Sequence, residues 1–338
     1  MQKNKRFYFL ILLVIALGSC TSQVQTDTVS VSERQLLVNN RPYLIKGICY
    51  HPVPIGSDLR SFETIEEDLA LMVEAGINTI RVYAPIEEKD VLDKIEAAGL
   101  KVIIGFGYDQ NGFYDMVSGS FINYVNTYKN HNAILMWELG NEYNYHPEWF
   151  EGDLKNWYVD MNNAAALIHE NDPNHLVTTA HGDLPDAMAL SLSPNIDVWG
   201  MNVYRMVEPE SIFPEWEAVS SKPMYLSEAG GDSYMAKSAE GYAQGENQKA
   251  QADANKIILE KTFDSKGVGS GVTLFSFTDG WWKAGENDVQ DVGGWAPEGS
   301  GVPFDRVPNE EYWGIVDIHR NKKETFNVVK DSYLKQQN

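Results

Sequence analysis

Two glutamates stand at the ends of apolar runs, and they are where this sequence places its chemistry. Ala133-Ile-Leu-Met-Trp-Glu-Leu-Gly-Asn-Glu142 passes from apolar residues into an asparagine and a carboxylate, and Pro223-Met-Tyr-Leu-Ser-Glu228 ends in a second carboxylate. Short apolar runs of this kind read as strands buried on both faces, as in a parallel sheet. Two carboxylates facing each other across a cleft can cut a glycosidic bond. One, kept protonated by its surroundings, donates to the leaving oxygen, and the other attacks the anomeric carbon. A gap of about 5 Å implies a covalent intermediate and net retention, whereas a wider gap admits a water and gives inversion. The sequence leaves that gap open. Glu138, short of the strand end, is expected inside the sheet as scaffold.

The residues just past the other apolar runs suit a sugar. His51, Arg81, Tyr83, Asn141, His181, Asn202, Tyr204, Trp281 and Trp282 are the expected substrate-binding set. Hydroxyls need hydrogen-bonding partners, and the flat C–H faces of a pyranose stack on aromatic rings. Arg81 and Tyr204 are also expected to donate to Glu228. Of Trp281 and Trp282, one is expected to pack in the core and the other to form a sugar platform. Tyr108, Asp109, Asp183 and Asp279 also fall at run ends, and Tyr143, Tyr145, Trp149 and Trp295 either line further subsites or simply pack.

The elements that must position these groups follow a repeating pattern. Ile65, Leu69, Met72 and Val73 lie at helical spacing behind a capping box, Thr64-x-x-Glu67; Gly76 stops that helix and the strand 78–83 follows. Val91, Leu92, Ile95 and Ala98, then Gly99, then the strand 100–106 repeat the unit. Further strands are expected at 44–49, 133–139, 175–180, 196–203, 223–227 and 271–277. Helices are expected near 120–130, 153–171, 208–220, 241–264 and 322–334. Eight parallel strands alternating with helices close into a barrel, whose C-terminal strand ends hold the site. The expected fold is therefore α/β, a single (β/α)8 TIM barrel spanning 35–338, with a short N-terminal β-hairpin turning at Asn39-Asn40. Residues 283–309, rich in Gly, Pro, Asp and Asn, form a long connection on the catalytic face.

These motifs resemble those of the retaining clan A glycoside hydrolases, which include families 2, 5, 17 and 72. Trp137-Glu-Leu-Gly-Asn-Glu142 is similar to that clan's acid/base motif, and Met224-Tyr-Leu-Ser-Glu-Ala-Gly230 to its nucleophile segment. Asn202 and Tyr204 match the sixth-strand polar pair, Arg81 the second-strand arginine, and Trp281 or Trp282 the eighth-strand tryptophan. The resemblance covers about residues 35–335. It implies Glu142 as acid/base, Glu228 as nucleophile and double displacement with retention. Gly76-Ile-Asn-Thr-Ile-Arg-Val-Tyr-Ala-Pro85 and Gly99–Gly105 are most similar to families 17 and 72, which act on β-1,3-glucans, so a neutral β-glucan, and β-1,3-glucan first, is the expected substrate. The Trp137–Glu142 motif and the 39–47 segment look more like family 2. A β-galactosidase- or β-mannosidase-type enzyme of family 2 or 5, a β-glucan transglycosylase and a non-catalytic glycan-binding lipoprotein are the alternatives.

The remaining sequence bounds the setting. Lys3, Lys5 and Arg6 precede an apolar segment from Phe7 to Leu17, and Leu17-Gly-Ser-Cys20 resembles a lipobox. Residues 1–20 are thus expected to be a lipoprotein signal peptide lipidated at Cys20, with 21–34 a polar tether. The protein would then be an exported bacterial lipoprotein of the cell envelope, held to the membrane by its lipid anchor. A formal net charge of −21 argues against nucleic acid as partner and favours a neutral oligo- or polysaccharide over a polyanionic one. The seven histidines are dispersed without a His-x-His or His-Glu-x-x-His pattern, so no metal is expected. Glu286, Asp288 and Asp291 read as a solvated acidic loop. Gly105-Phe-Gly lacks the third glycine of a dinucleotide fingerprint, and no cofactor is expected.

Overall fold

The computed structural model describes residues 26–108, 112–265, 267–293 and 302–336. The leader with Cys20, and also Asp109 and Trp295, lie outside the described residues. Eight parallel strands close a barrel: β4 (Ile45–Cys49), β5 (Thr79–Val82), β6 (Lys101–Phe106), β7 (Ile134–Asn141), β8 (Leu176–Gly182), β9 (Val198–Asn202), β10 (Met224–Glu228) and β13 (Gly269–Leu274), the last pairing back onto β4. Nearly every residue of these strands is buried, because barrel strands are covered by side-chain layers within and helices outside. Among the described residues eight α-helices accompany them: α1 (Ile65–Glu74), α2 (Lys89–Ala97), α3 (Ile122–Tyr128), α4 (Leu154–Asn171), α5 (Ala187–Leu192), α6 (Ile212–Val219), α7 (Gln248–Asp264) and α8 (Glu324–Lys335). The expected TIM barrel is the observed fold.

Three short strands, β1 (Val29–Ser32), β2 (Gln35–Val38) and β3 (Arg41–Pro42), form a small antiparallel sheet. Leu36 and Val29 join Ile45, Ile103, Leu135, Met136, Val198 and Tyr225 in an apolar cluster of their own, plugging the end of the barrel away from the site. Asn39 and Asn40 turn the hairpin with φ of 51° and 61°, the left-handed pair that a two-residue hairpin turn requires.

Several local expectations fail for identifiable reasons. Val29–Ser32 falls inside the segment expected to be a tether, yet it pairs with β2 residue for residue. The Thr64-x-x-Glu67 capping box does not form. Thr64 Oγ1 instead donates to Asp68 Oδ2 at 3.0 Å and accepts from Arg320 Nη2 at 2.8 Å, so a long-range ion pair outcompetes the local cap. The helix expected from residue 241 starts at Gln248, where Asn247 caps it by accepting from Ala250 N. Part of the intervening chain pairs as β11 (Tyr234–Met235) with β12 (Gly245–Glu246).

Candidate active site

Both strands that carry the glutamates end irregularly. On β7, Glu138 faces Thr178 and Asn141 faces Ala180, so three steps on one strand oppose two on the other. Such a bulge re-aims the side chains beyond it. Gly140 takes φ 71° here, and a Cβ on it would meet the Trp157 ring at 2.6 Å, so only glycine fits. Glu142 itself is left-handed at φ 57°, held by a hydrogen bond from its N–H to Ala180 O at 2.8 Å. On β10 the register shifts again between Leu226 and Glu228.

Arg81, fully buried on β5, links the two strands. Its Nη1 donates to Glu228 Oε1 at 2.8 Å and its Nη2 to Asn141 Oδ1 at 2.7 Å. Nε and Nη2 together clasp Glu138, at 2.8 Å from Oε2 and from Oε1 respectively. Tyr225 also donates to Glu138 Oε2. Glu138 is thus an interior counter-charge, as expected of it. Glu228 receives two further donors, Tyr83 at 2.7 Å on Oε1 and Tyr204 at 2.9 Å on Oε2. Three donors thus converge on the two oxygens of Glu228. Burial pushes both phenols well above their ordinary range, so they remain donors.

Glu142 has the opposite environment. Burial, and then the neighbouring charge of Glu228, raise its pKa to about 7, while Asn202 and Arg81 pull the other way. Asn202 is oriented by donating to Asn141 Oδ1 at 3.1 Å and accepting from Ser227 Oγ at 2.7 Å. The two carboxyl groups therefore sit in different environments, one met by three donors and the other raised by burial.

A cleft of about 1100 Å³ opens over both glutamates, lined also by His51, Tyr83, Asn141, Tyr145, Asn202, Tyr204 and Trp282. The His51 ring lies 4.9 Å from that of Trp282; burial, aided by Arg60 and Lys283, lowers its pKa to about 4, so it is neutral at working pH. Three expected substrate-binding residues belong elsewhere: Arg81 is fully buried with its guanidinium committed to Glu138, Asn141 and Glu228, and His181 and Trp281 also turn away from the cleft. His181 is buried beneath the site with Nε2 facing the Tyr158 hydroxyl at 3.2 Å and Nδ1 facing Asp183 O at 3.0 Å, which leaves no ring nitrogen for substrate. Trp281 does not line the cleft and packs edge-on to His319, whereas Trp282 takes the cleft side. Asp279 forms a buried ion pair with Lys323 at 2.6 Å. Trp313, Phe275 and Glu310 line the cleft without having been anticipated, and Lys283 lines it from the start of the connection expected on that face. Trp313 follows the long connection, where no periodic pattern marks its position, and packs edge-on to Tyr204.

Comparison with known proteins identifies the fold's lineage. The model of the TIM barrel domain of glycosyl hydrolases family 2 matches residues 29–254. A putative beta-glucuronidase of Formosa agariphila is 22% identical over 321 residues, covering 88% of this chain but 38% of the relative. A beta-glucuronidase of Bacteroides fragilis is 29% identical over 162 residues, 44% of this chain and 22% of that one. Among solved structures, a beta-galacturonidase from Eisenbergiella tayi superposes with TM-score 0.68 at 21% identity, covering 92% of this chain and 54% of its own. The chain thus spans well under half the length of these curated relatives. Of the families its motifs resemble, family 2 is the one matched, and the β-1,3-glucan expectation finds no support in these relatives. The chain belongs to glycosyl hydrolases family 2, through the TIM barrel domain of that family.

Proposed function

We propose that the protein is a retaining β-glycosidase in which Glu228 is the nucleophile and Glu142 the acid/base. The observation that carries this reading is the contrast between the two carboxyls: three donors converge on Glu228, while burial raises Glu142 to about 7. Glu228 attacks the anomeric carbon as Glu142 protonates the departing oxygen; Glu142, now ionised, then draws a proton from water, which attacks the glycosyl ester and frees Glu228. Trapping the ester with a 2-deoxy-2-fluoro aryl glycoside and locating the label by peptide mass spectrometry tests this. A label on any residue but Glu228 sinks it.

The substrate we favour is a neutral β-linked glycoside, of the galactoside or mannoside type that family 2 membership fits. Lys283, a cation lining the cleft, is already paired with Glu310 and rests over the Phe275 ring, and the chain as a whole is strongly acidic. A uronide is the second reading, favoured by the named activities of the relatives. It requires Lys283 to exchange Glu310 for the substrate's carboxylate. A panel of aryl β-galactoside, β-mannoside, β-glucoside, β-glucuronide and β-galacturonide separates the two. We also propose, from the leader alone, that the protein is an exported lipoprotein; labelling with a fatty-acid probe, lost in Cys20→Ala, tests that.

The proton-donor role has its own signature. Glu142 must be protonated to act as acid, so kcat/KM on glycosides with poor leaving groups should fall as pH rises through about 7. Glu142→Gln should cost roughly 10²- to 10⁴-fold on such substrates and abolish that basic limb. A limb that survives the substitution assigns it to another group.

A further inference from the structure

The short turn after Glu142 presents an aromatic ring that the reaction centre does not use. Tyr145 is 57% exposed and lines the cleft beside the acid/base. Its ring is seated on the backbone of Gly182, at the end of the neighbouring strand: a Cβ at Gly182 would come within 2.2 Å of Tyr145 Cε2 and 2.4 Å of Cζ. The seat is fastened on both sides by one residue. Asn144 Oδ1 accepts from Gly182 N at 2.8 Å, and Asn144 Nδ2 donates to Gly182 O at 3.1 Å. Tyr145 N closes the turn on Glu142 O at 2.9 Å. Ring, strand end and Glu142 therefore form one preorganised unit, with the ring's Cε2, Cζ and hydroxyl close against Gly182 and more than half of the residue exposed. His146, also lining the cleft, continues the surface, backed by Trp149 in a parallel stack at 4.0 Å.

Position fixes which part of a substrate this ring would meet. In the order of barrel strands, β7 and β8 stand opposite β13 and β4, whose ends carry Trp282 and His51. The proton passes from Glu142 to the leaving oxygen, so the atoms beyond that oxygen continue along the Glu142 wall, toward Tyr145 and away from Trp282 and His51. A pyranose there can lay its C–H face on the phenol ring, as sugars do on aromatic surfaces.

We propose that Tyr145, seated on Gly182 and extended by His146, is the platform of a subsite for the leaving-group sugar, so that the natural substrate is a β-linked oligosaccharide or chain rather than a glycoside of a small alcohol. This rests on the glycosidase reading and deepens it. The ring of Tyr145 acts by contact with the leaving sugar, and its hydroxyl is dispensable. The nearby charges of Glu142 and Asp183 add to the effect of burial in raising the phenol to about 12, so it stays neutral throughout the working range.

The test compares two leaving groups on one sugar. A β-glycosyl fluoride of the sugar that the aryl panel selects departs without a proton from Glu142 and leaves the subsite empty; a di- or trisaccharide with that sugar at its non-reducing end fills it. Tyr145→Ala should lower the ratio of kcat/KM for the oligosaccharide to that for the fluoride by about tenfold, and Tyr145→Phe should hold it within about twofold. Gly182→Ala, which must displace the ring, should lower the ratio in the same direction. A ratio unchanged in Tyr145→Ala, with the variant's circular dichroism like the parent's, overturns the proposal. A parent protein that cleaves neither fluoride nor oligosaccharide overturns the glycosidase reading beneath it.

Discussion

Glu228→Ala should reduce kcat by about 10⁴-fold or more on every glycoside that the protein cleaves. The loss is that large because the other carboxylates at the cleft, among the described residues, are engaged elsewhere: Asp183 is paired with Arg205 and Glu310 with Lys283. Glu138 is spent on Arg81 and Tyr225, and Glu142 is poised to give a proton rather than to attack. The pocket left by the missing carboxylate still presents Arg81, Tyr83 and Tyr204, three donors facing one small void. Azide fits that void as an anion. With an activated aryl glycoside it should attack the anomeric carbon from the vacated side, expel the phenolate and give a glycosyl azide of inverted configuration. Rescue of this kind separates a missing nucleophile from a damaged fold, since a merely structural role for Glu228 predicts no azide product. Normal turnover by Glu228→Ala on the substrates that the parent cleaves would remove Glu228 from the mechanism.

What the sequence discloses about this site follows from how local each feature is. A strand buried on both faces ending in a carboxylate is a contiguous pattern, so β7 with Glu142 and β10 with Glu228 are readable directly, as is the helix–glycine–strand repeat that builds the barrel. The donors on Glu228 are legible in part: Arg81 and Tyr204 as strand-end polar groups fit the anticipated role, while Tyr83 turns out to face the carboxylate rather than to serve substrate alone. The bulges that aim both glutamates are not visible, because a bulge is a relation between two strands. His181 misleads for the same reason. Its position at the end of β8 is right, but Tyr158 from α4 and the Asp183 carbonyl claim both ring nitrogens. Trp313 lines the cleft from a stretch of chain with no apolar period to mark it. The failed Thr64 cap shows the limit at its smallest scale: a local motif yields to Arg320, more than two hundred residues away.

Arg81→Leu should be the most destabilising single substitution at the site, costing about 3–5 kcal/mol. The arginine is fully buried, and removing it strands Glu138 inside the barrel without its counter-charge. A drop of that size is readable as a shift in the urea midpoint. Stability and catalysis can then be separated by a second change. Arg81→Leu with Glu138→Leu removes the stranded charge along with its partner and replaces both with apolar volume, an exchange that is often neutral for a buried pair. The double variant should recover most of the lost stability. It should not recover activity, because Glu228 would still lack the guanidinium 2.8 Å from Oε1, and Asn141 Oδ1 would keep only Asn202 of its two donors. Arg81→Lys is expected to fail catalytically for a different reason. One ammonium cannot reach Glu138, Asn141 and Glu228 in the planar fan that the guanidinium spans. If the double variant regains both stability and turnover, Arg81 is a structural counter-ion alone. If it regains stability while turnover stays low, the guanidinium is what couples the barrel's interior charge to its nucleophile.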